Sequence, residues 1–256
     1  MKCCAFCPTK AKKLSGEHIW DDWLNRALPT KRFRLRQRFS QLDPFRQYDA
    51  VVLKEKLSVV CENCNNTWMS DISNRAKQSF SEMIVRGKRT SLSPLDIRLL
   101  AVLGFMKCVV GDHATREEDP FFLTAARESF KTSLTIPPEV QMWIAAFQGA
   151  YRYSGKFTTS LLAPSDPGPL EGIEFYILTY VIGHLVLQTL APRWKGVHDR
   201  AKPLPMLEPG ADWLPAAIQL LPQNGSSLEW PPTKYLSDDT IQTFMDRFKR
   251  INVRVA

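Results

Sequence analysis

The sequence predicts an α+β protein built from two unequal units, and three observations lead to this prediction. With 256 residues, 44% of them apolar, the chain can bury a sizeable core. Two Cys-x-x-Cys pairs, Cys4 with Cys7 and Cys61 with Cys64, lie in its first quarter. Helical and strand patterns both occur in the remainder. We therefore expect a metal-stapled unit at residues 1–90 and a mixed α+β accessory unit of unknown role at residues 91–256.

The two cysteine pairs predict one structural zinc site. Four thiolates can close a tetrahedral site with Zn–S distances of about 2.3 Å, and paired spacing suits such a site. Cys3 is either an alternative ligand to Cys4 or a bystander, and Cys108, inside an apolar stretch, is typical of core packing. The opening residues have no apolar secretory segment, which favours reduced thiols and a cytoplasmic protein over three disulfides in a secreted one.

The positive charge of the chain is concentrated near its beginning. The formal net charge is +8, and residues 1–93 contain 18 Lys and Arg against 9 Asp and Glu, which leaves 16 against 17 for the rest. Because Lys and Arg that contact phosphates release condensed counterions, this asymmetry favours an anionic partner such as nucleic acid.

The first unit is predicted to alternate short elements. Residues 15–20 resemble a strand, and residues 21–28 a short helix with acidic residues in its first turn. Residues 31–39 alternate with period two, so one strand face carries an arginine ladder. We expect phosphate contacts from this ladder, whereas a charge-protected edge strand is the structural alternative. The ladder consists of Arg32, Arg34, Arg36 and Arg38. Residues 48–60 predict one or two strands leading to Cys61.

Helical spacing begins at Asn65 and continues to Gly87, with Trp68, Ile72 and Phe80 on one stripe. Ser93 then predicts the N-cap of a second, buried helix ending near residue 110. The later elements are less distinct. We expect helices at residues 121–130 and 139–148, strands at 151–162, 175–190 and 216–221, and a last helix after residue 237.

Residues 175–191 contain no charged side chain, yet we do not expect a membrane span. The segment is short for about 30 Å of hydrocarbon and is rich in strand-forming residues, which suits two buried strands with a break at Gly183. The lone residues His113, His184 and His198 are assigned no role, because an isolated histidine is more often packing or surface than a ligand.

Glu17 and His18 are the candidate catalytic pair. A phosphodiester is cleaved fastest when a base activates water while a divalent ion stabilises charge on the leaving oxygen. His18 can supply the base and Glu17 an ion ligand, although neighbours on a strand point to opposite faces, so both serve one phosphate only if the strand end twists. Asn65, at the helix start, could add a neutral oxygen ligand to an octahedral Mg²⁺ shell.

Together, these motifs resemble the zinc-knuckle branch of the HNH (His-Asn-His) endonucleases, which have a ββα-metal fold. The run from Cys64 to Asp71 also resembles uncharacterised bacterial proteins described as HNH-type. The motifs cover roughly residues 4 to 75, and a looser resemblance extends across the chain.

The resemblance implies a metal-dependent DNA endonuclease with double-stranded DNA as its partner and Mg²⁺ or Mn²⁺ at the catalytic site. It gives His18 the general base, Glu17 and Asn65 the catalytic ion, and the four cysteines structural zinc. By the same analogy, the second unit would bind a protein partner or regulate access, and a role in phage defence would suit the protein.

Two other interpretations remain. No Asn occurs between Asn25 and Asn63, so the middle Asn of the family pattern has no counterpart. This departure supports the main alternative, a zinc-knuckle module that binds nucleic acid without cutting it. A redox or zinc-sensing protein is the third interpretation.

Overall fold

The computed structural model describes residues 2–11, 13–18, 21–28, 33–37, 46–50, 56–115, 120–149, 152–162, 172–195, 213 and 215–248. Its elements up to residue 115 are β1 (Lys2–Cys3), β2 (Lys10–Ala11), β3 (Ser15–His18), α1 (Asp22–Ala27), β4 (Phe33–Gln37), β5 (Arg46–Ala50), β6 (Lys56–Val60), α2 (Glu62–Cys64), a kinked turn (Asn65–Met69), α3 (Ser70–Arg86), β7 (Thr90–Leu92) and α4 (Pro94–Thr115). The later elements are α5 (Thr124–Ser133), β8 (Gln141–Phe147), β9 (Arg152–Leu162), β10 (Gly172–Ile182), β11 (Leu185–Lys195), β12 (Ala217–Leu221), β13 (Leu228–Trp230), β14 (Tyr235–Leu236) and α6 (Ile241–Met245).

The predicted α+β class is confirmed, and its largest element is an eight-stranded sheet. Seven strands follow the order β12-β8-β11-β10-β9-β4-β5, and β14 pairs in parallel with β8. The other strand pairs of this sheet are antiparallel, except β4 and β9, which pair in parallel. The β4–β5 hairpin of the first third of the chain therefore extends a sheet made mostly of later strands.

Two apolar cores lie on opposite faces of this sheet. Met142 and Ile144 of β8 belong to a core shared with α3, α4 and the cysteine-rich segment, while Trp143 and Ala145 belong to a core covered by α6. This alternation follows from the period of two along a strand. Since the first core contains residues from both sides of residue 90, the two predicted units share packing, and the boundary between them stays a prediction.

Local sequence signals produce α3 and α4 as expected. The buried stripe on α3 consists of Ile72, Ala76, Phe80, Met83 and Ile84. Gly87 ends this helix in the left-handed conformation, with φ of 67°. At the start of α4, the Ser93 hydroxyl accepts from the Asp96 amide (3.2 Å) and the Asp96 carboxylate accepts from the Ser93 amide (3.0 Å), which is a reciprocal capping box.

The end of α3 docks on the turn between β10 and β11. The His184 amide donates to the Ile84 carbonyl (2.8 Å), and Gly183 has φ of 60°. A Cβ atom on Gly183 would lie 2.1 Å from the Ile84 carbonyl oxygen, so only glycine fits this approach. The turn confirms the predicted break at Gly183, and the charge-free run forms strands. Among the described residues, no helix combines the length and apolar character needed to cross a membrane.

One predicted helix is wrong. Residues 141–147 form strand β8, and every residue of this strand is buried. Because β8 pairs with β11 and β12 and is covered on both faces, it lacks the alternation of a half-exposed strand. A continuous apolar run that includes two alanines looks helical when only the sequence is considered.

Candidate metal centre and the residues around it

The four predicted zinc ligands meet at one point. The Sγ atoms of Cys4, Cys7, Cys61 and Cys64 all lie within 4.8 Å of one another. The Cys7–Cys61 and Cys7–Cys64 Sγ distances are 3.7 and 3.8 Å. A tetrahedron with metal–sulfur bonds of about 2.3 Å has edges of about 3.8 Å, so the thiols fit a metal ion such as zinc. Cys3 is exposed and outside the cluster, and the six cysteines form no disulfide.

Backbone amides around the cluster point at sulfur. The Phe6 and Cys61 amides donate to Cys4 Sγ at 3.5 and 3.3 Å, and the Cys64 amide donates to Cys61 Sγ at 3.5 Å. A turn closed by the Cys4 amide on the Thr9 carbonyl (3.0 Å) shapes the first pair. The second pair lies at the beginning of α2, so strand β6 and the helix are fixed to the same group of thiols.

The four thiols influence one another's protonation. The hydrogen bond from the Cys64 thiol, aided by the backbone amides, lowers the pKa of Cys4 to about 4 although burial opposes this. The same contact and burial raise the pKa of Cys64, and burial raises that of Cys61. Without a metal, the buried cluster therefore tolerates one negatively charged thiolate better than four. A divalent ion would offset the charge of four thiolates, and the thiols would release protons when the ion binds.

The first cysteine pair is held by α4 and α5. Arg127 Nη1 donates to the Ala5 carbonyl (2.7 Å), and His113 Nε2 lies 3.2 Å from the Cys3 carbonyl oxygen. Because arginine can only donate, its 3.4 Å contact with His113 Nδ1 leaves Nε2 as the protonated nitrogen that donates to Cys3. The Phe6 ring packs edge-on against Trp68, with centroids 5.0 Å apart. His113, which has no assigned role in the sequence pattern, thus supports the backbone beside the cluster.

Glu17 lies in a buried ion-pair cluster. Lys107 of α4 donates to Glu17 Oε1 (2.6 Å), Asp21 Oδ1 (2.9 Å) and the His18 carbonyl (2.9 Å). Burial opposes the charge of Lys107, but attraction by Asp21 and Glu17 outweighs this and raises its pKa. Ser73 adds a hydrogen bond to Asp21 Oδ1 (3.2 Å). Neither Lys107 nor Asp21 was expected here, since 86 residues separate them.

His18 is half-buried at the end of β3, opposite Lys56 of β6. Burial is the largest cause that lowers its pKa, and the charge of Lys56 lowers it further. Its Nδ1 is buried and has no hydrogen-bond partner in the described part of the chain. The imidazole is therefore neutral at pH 7.

Asn65 is fixed against the strand that carries His18. Its Nδ2 donates to the Ser15 hydroxyl (2.9 Å), which leaves the carbonyl oxygen of the amide for another ligand. The backbone kinks just beyond it, at Thr67 (φ −108°, ψ −107°), and the Thr67 hydroxyl donates to the Asn63 carbonyl (2.6 Å). Ser15 thus connects Asn65 to β3, whereas Glu17 of the same strand contacts Lys107.

The arginine ladder is described in part. The backbone of Arg34 and Arg36 lies in β4, which confirms the predicted strand there. This strand pairs with β5 on one side and β9 on the other, so it is internal and not an edge. The side chains of these two residues, and Arg32 and Arg38 entirely, lie outside the described part of the chain.

Comparison with known proteins gives no match. No protein-family model matches the chain, no curated protein matches it, and no solved structure matches it.

Proposed function

We propose that this chain is a metal-dependent HNH-type endonuclease that hydrolyses DNA phosphodiester bonds at His18. One observation carries the proposal: the four-thiol cluster joins strand β6 to the start of a helix, and β6 pairs with the strand that ends in His18. This order of strand, strand and helix is what a ββα-metal unit requires. The hydrogen bond from Asn65 to Ser15 supports it by fixing the helix start to the same strand.

In this proposal His18 is the general base. Its lowered pKa keeps the imidazole neutral, so it can take a proton from water at neutral pH. Glu17 and Asn65 would hold Mg²⁺ or Mn²⁺ through Glu17 Oε2 and Asn65 Oδ1, which accept no hydrogen bond from the described residues. The ion would stabilise charge on the leaving oxygen. Zinc at the four cysteines would have a structural role.

The positive charge of the first third supports an anionic substrate. Within residues 1–93, Lys and Arg outnumber Asp and Glu by two to one. Arg34, Arg36 and Arg46 belong to the β4–β5 hairpin, which pairs with strand β9 of the large sheet. Through this pairing, the second unit could take part in binding DNA.

A nucleic-acid-binding module that does not cut is the second candidate, and Lys107 is the observation that favours it. The ammonium 2.6 Å from Glu17 Oε1 already neutralises the carboxylate. A fixed positive charge at this distance opposes the binding of a divalent ion to the same carboxylate. The absence of an Asn between Asn25 and Asn63 agrees with this candidate.

Cleavage of a plasmid separates the two candidates. Zinc-loaded wild-type protein and His18→Ala, purified in parallel, would be incubated with supercoiled plasmid in Mg²⁺, in Mn²⁺ and in EDTA. The endonuclease predicts nicked or linear products with wild type in a divalent ion and a loss of at least about 100-fold with His18→Ala. Equal cleavage by the two proteins would defeat the enzyme proposal. Retention of DNA with no product from either protein would support the binding module.

The variant needs its own control, because a misfolded protein would also fail to cut. His18→Ala should therefore retain one zinc per chain and the DNA affinity of the wild type. A second variant, Asn65→Ala, should lose cleavage more severely in low Mg²⁺ than in high Mg²⁺, since it removes an ion ligand and leaves the base intact.

A further inference from the structure

Arg247, next to α6, is a half-buried residue whose guanidinium lies on the sheet face opposite α4. Its Nη1 and Nη2 atoms are both buried and have no hydrogen-bond partner among the residues that the structure describes. The residue is not engaged in any ion pair in that part of the chain. A buried charge without a counter-charge is rare, because it loses its hydration and gains nothing in return.

The guanidinium is fixed in place by other contacts. Its Nε donates to Gln188 Oε1 at 2.7 Å, and Gln188 Nε2 donates to Thr179 (2.9 Å) and to the Phe244 carbonyl (3.4 Å). Gln188 is fully buried on the central strand β11, where it lies between Trp143 and Thr179 of the adjacent strands. The orientation of Arg247 is therefore set by an amide whose own hydrogen bonds are satisfied, while its two Nη atoms keep no hydrogen-bond partner in the described part of the chain.

Aromatic rings surround the cation. The Cζ atom of Arg247 lies 4.7 Å from the centroid of Trp143, 4.4 Å from that of Phe244 and 4.5 Å from that of Phe248. Cation–π contacts of this kind stabilise a guanidinium but accept no directed hydrogen bond from its edge. They hold the charge without neutralising it.

Two further unpartnered groups, one on Trp143 of the same core and one on helix α6, are donors as well. Trp143 Nε1 and Gln242 Nε2 of α6 are buried without a partner in the described residues. Indole nitrogen, amide nitrogen and guanidinium all require acceptor oxygens. These unsatisfied groups are all donors, and an oxyanion supplies the acceptor oxygens that such donors need.

We propose that Arg247 forms a binding site for a small oxyanion, a carboxylate or a phosphate, which pairs with its Nη1–Nη2 edge. Two oxygens of a carboxylate or a phosphate accept two parallel hydrogen bonds from this edge in the fork geometry typical of arginine. The site lies on the core covered by α6, whereas the zinc cluster and Lys107 lie on the other face. It is thus independent of the proposed nuclease chemistry, and either can fail without the other.

Arg193 provides a matched control. Its Nε and Nη2 pair with Glu174 at 2.8 and 2.6 Å, its Nη1 donates to the Pro120 and Phe121 carbonyls, and its Cζ lies 4.6 Å from the Phe121 ring. It is an arginine in a similar aromatic setting whose donors are satisfied. Replacing it should change stability without changing the response to anions.

The test measures thermal unfolding and calorimetric binding of the full zinc-loaded chain with phosphate, acetate or chloride at equal ionic strength. We expect the midpoint temperature of unfolding to be higher in phosphate or acetate than in chloride and to saturate with anion concentration. Calorimetry should show one bound anion per chain. Which of the two anions binds more tightly assigns the ligand class. Arg247→Met should abolish this response, and Arg193→Met should retain it.

Arg247→Lys keeps the positive charge but loses the paired Nη donors of the guanidinium. This variant keeps the test informative if Arg247→Met does not fold. It should weaken binding roughly tenfold, the equivalent of one charged hydrogen bond. An identical midpoint in all three salts for the wild type would overturn the proposal. So would an anion response of Arg247→Met equal to that of the wild type.

Discussion

The ammonium of Lys107 lies 2.6 Å from Glu17 Oε1, although 90 residues separate the two in the sequence. The same nitrogen also binds Asp21 and the His18 carbonyl, so three oxygens of one short segment surround it. Helix α4 thus fixes the strand end that carries the candidate base. The candidate catalytic segment is therefore held by a helix of the second predicted unit.

Lys107→Met should destabilise the protein by about 3–5 kcal/mol, because it leaves two buried carboxylates without their cation. The measurement is urea unfolding of the zinc-loaded protein at neutral pH. Arg86→Met is the control, since it breaks an exposed pair with Glu82 whose contribution is roughly 0.5 kcal/mol or less. Similar losses from the two variants would contradict the prediction.

The Lys107 cluster also predicts a loss of stability in alkali. The pKa of this lysine is raised in the folded state above its ordinary value of 10.5. Its contribution is therefore complete below pH 10.5 and is lost as pH rises toward the folded pKa. Urea midpoints between pH 8 and pH 11.5 should fall less steeply in Lys107→Met than in wild type.

Cys61→Ser should unfold the cysteine-rich segment, because structural zinc contributes on the order of 10 kcal/mol to folding. Zinc analysis and proteolysis measure this effect. Cys3→Ser is the matched control, since Cys3 is exposed and outside the cluster. It should retain one zinc per chain. Zinc bound by Cys61→Ser at the wild-type level would show that the four thiols are not the site.

Patterns confined to a few neighbouring residues predicted the structure well. The stripe on α3, the Ser93 cap and the paired cysteines each depend on spacing within one or two turns or on a metal that joins two short motifs. These features appear in the sequence because their physical cause is local. The thiol cluster was predictable despite its separation, since one ion satisfies both pairs.

Features that depend on distant partners were missed. Strand β8 was mistaken for a helix because burial on both of its faces removes the alternation that marks a strand. No local signal pairs β4 with β9 or brings Lys107 to Glu17. The available clue was Lys107 as the one charged residue in the apolar run from Leu99 to Gly111, because a buried lysine requires a carboxylate.

Arg127→Met should weaken zinc binding by about 10–100-fold while the fold is retained, as is found for residues that support metal ligands from outside. Arg127 donates to the Ala5 carbonyl inside the first cysteine turn, and its loss frees that turn. Competition with a coloured chelator measures the affinity. Lys131→Met, on the same helix, should release zinc like wild type, and equal release by both variants would remove Arg127 from this role.

Replacing Arg34 and Arg36 by Gln should flatten the salt dependence of DNA binding by up to about one log unit for each phosphate that is no longer bound. Fluorescence anisotropy with a duplex between about 50 and 200 mM salt measures the slope. The control replaces two exposed basic residues of the later part, Arg98 and Lys234, and should leave the slope unchanged. A slope equal to wild type in the β4 variant would show that these arginines are only solvated.

His18 should titrate below its ordinary pKa of 6.5, because burial and the charge of Lys56 both disfavour the imidazolium. The stability that this neutral form contributes is present above pH 6.5 and is lost as pH falls through the folded pKa. NMR titration of the zinc-loaded chain, with His18→Gln to assign the signal, measures the pKa. Lys56→Gln should raise the pKa of His18, whereas Lys88→Gln should not.

The pH dependence of plasmid cleavage tests whether His18 is the base. If it is, the pH below which cleavage falls must rise in Lys56→Gln by the same amount as the pKa of His18. An unchanged pH dependence would assign the proton transfer to another group.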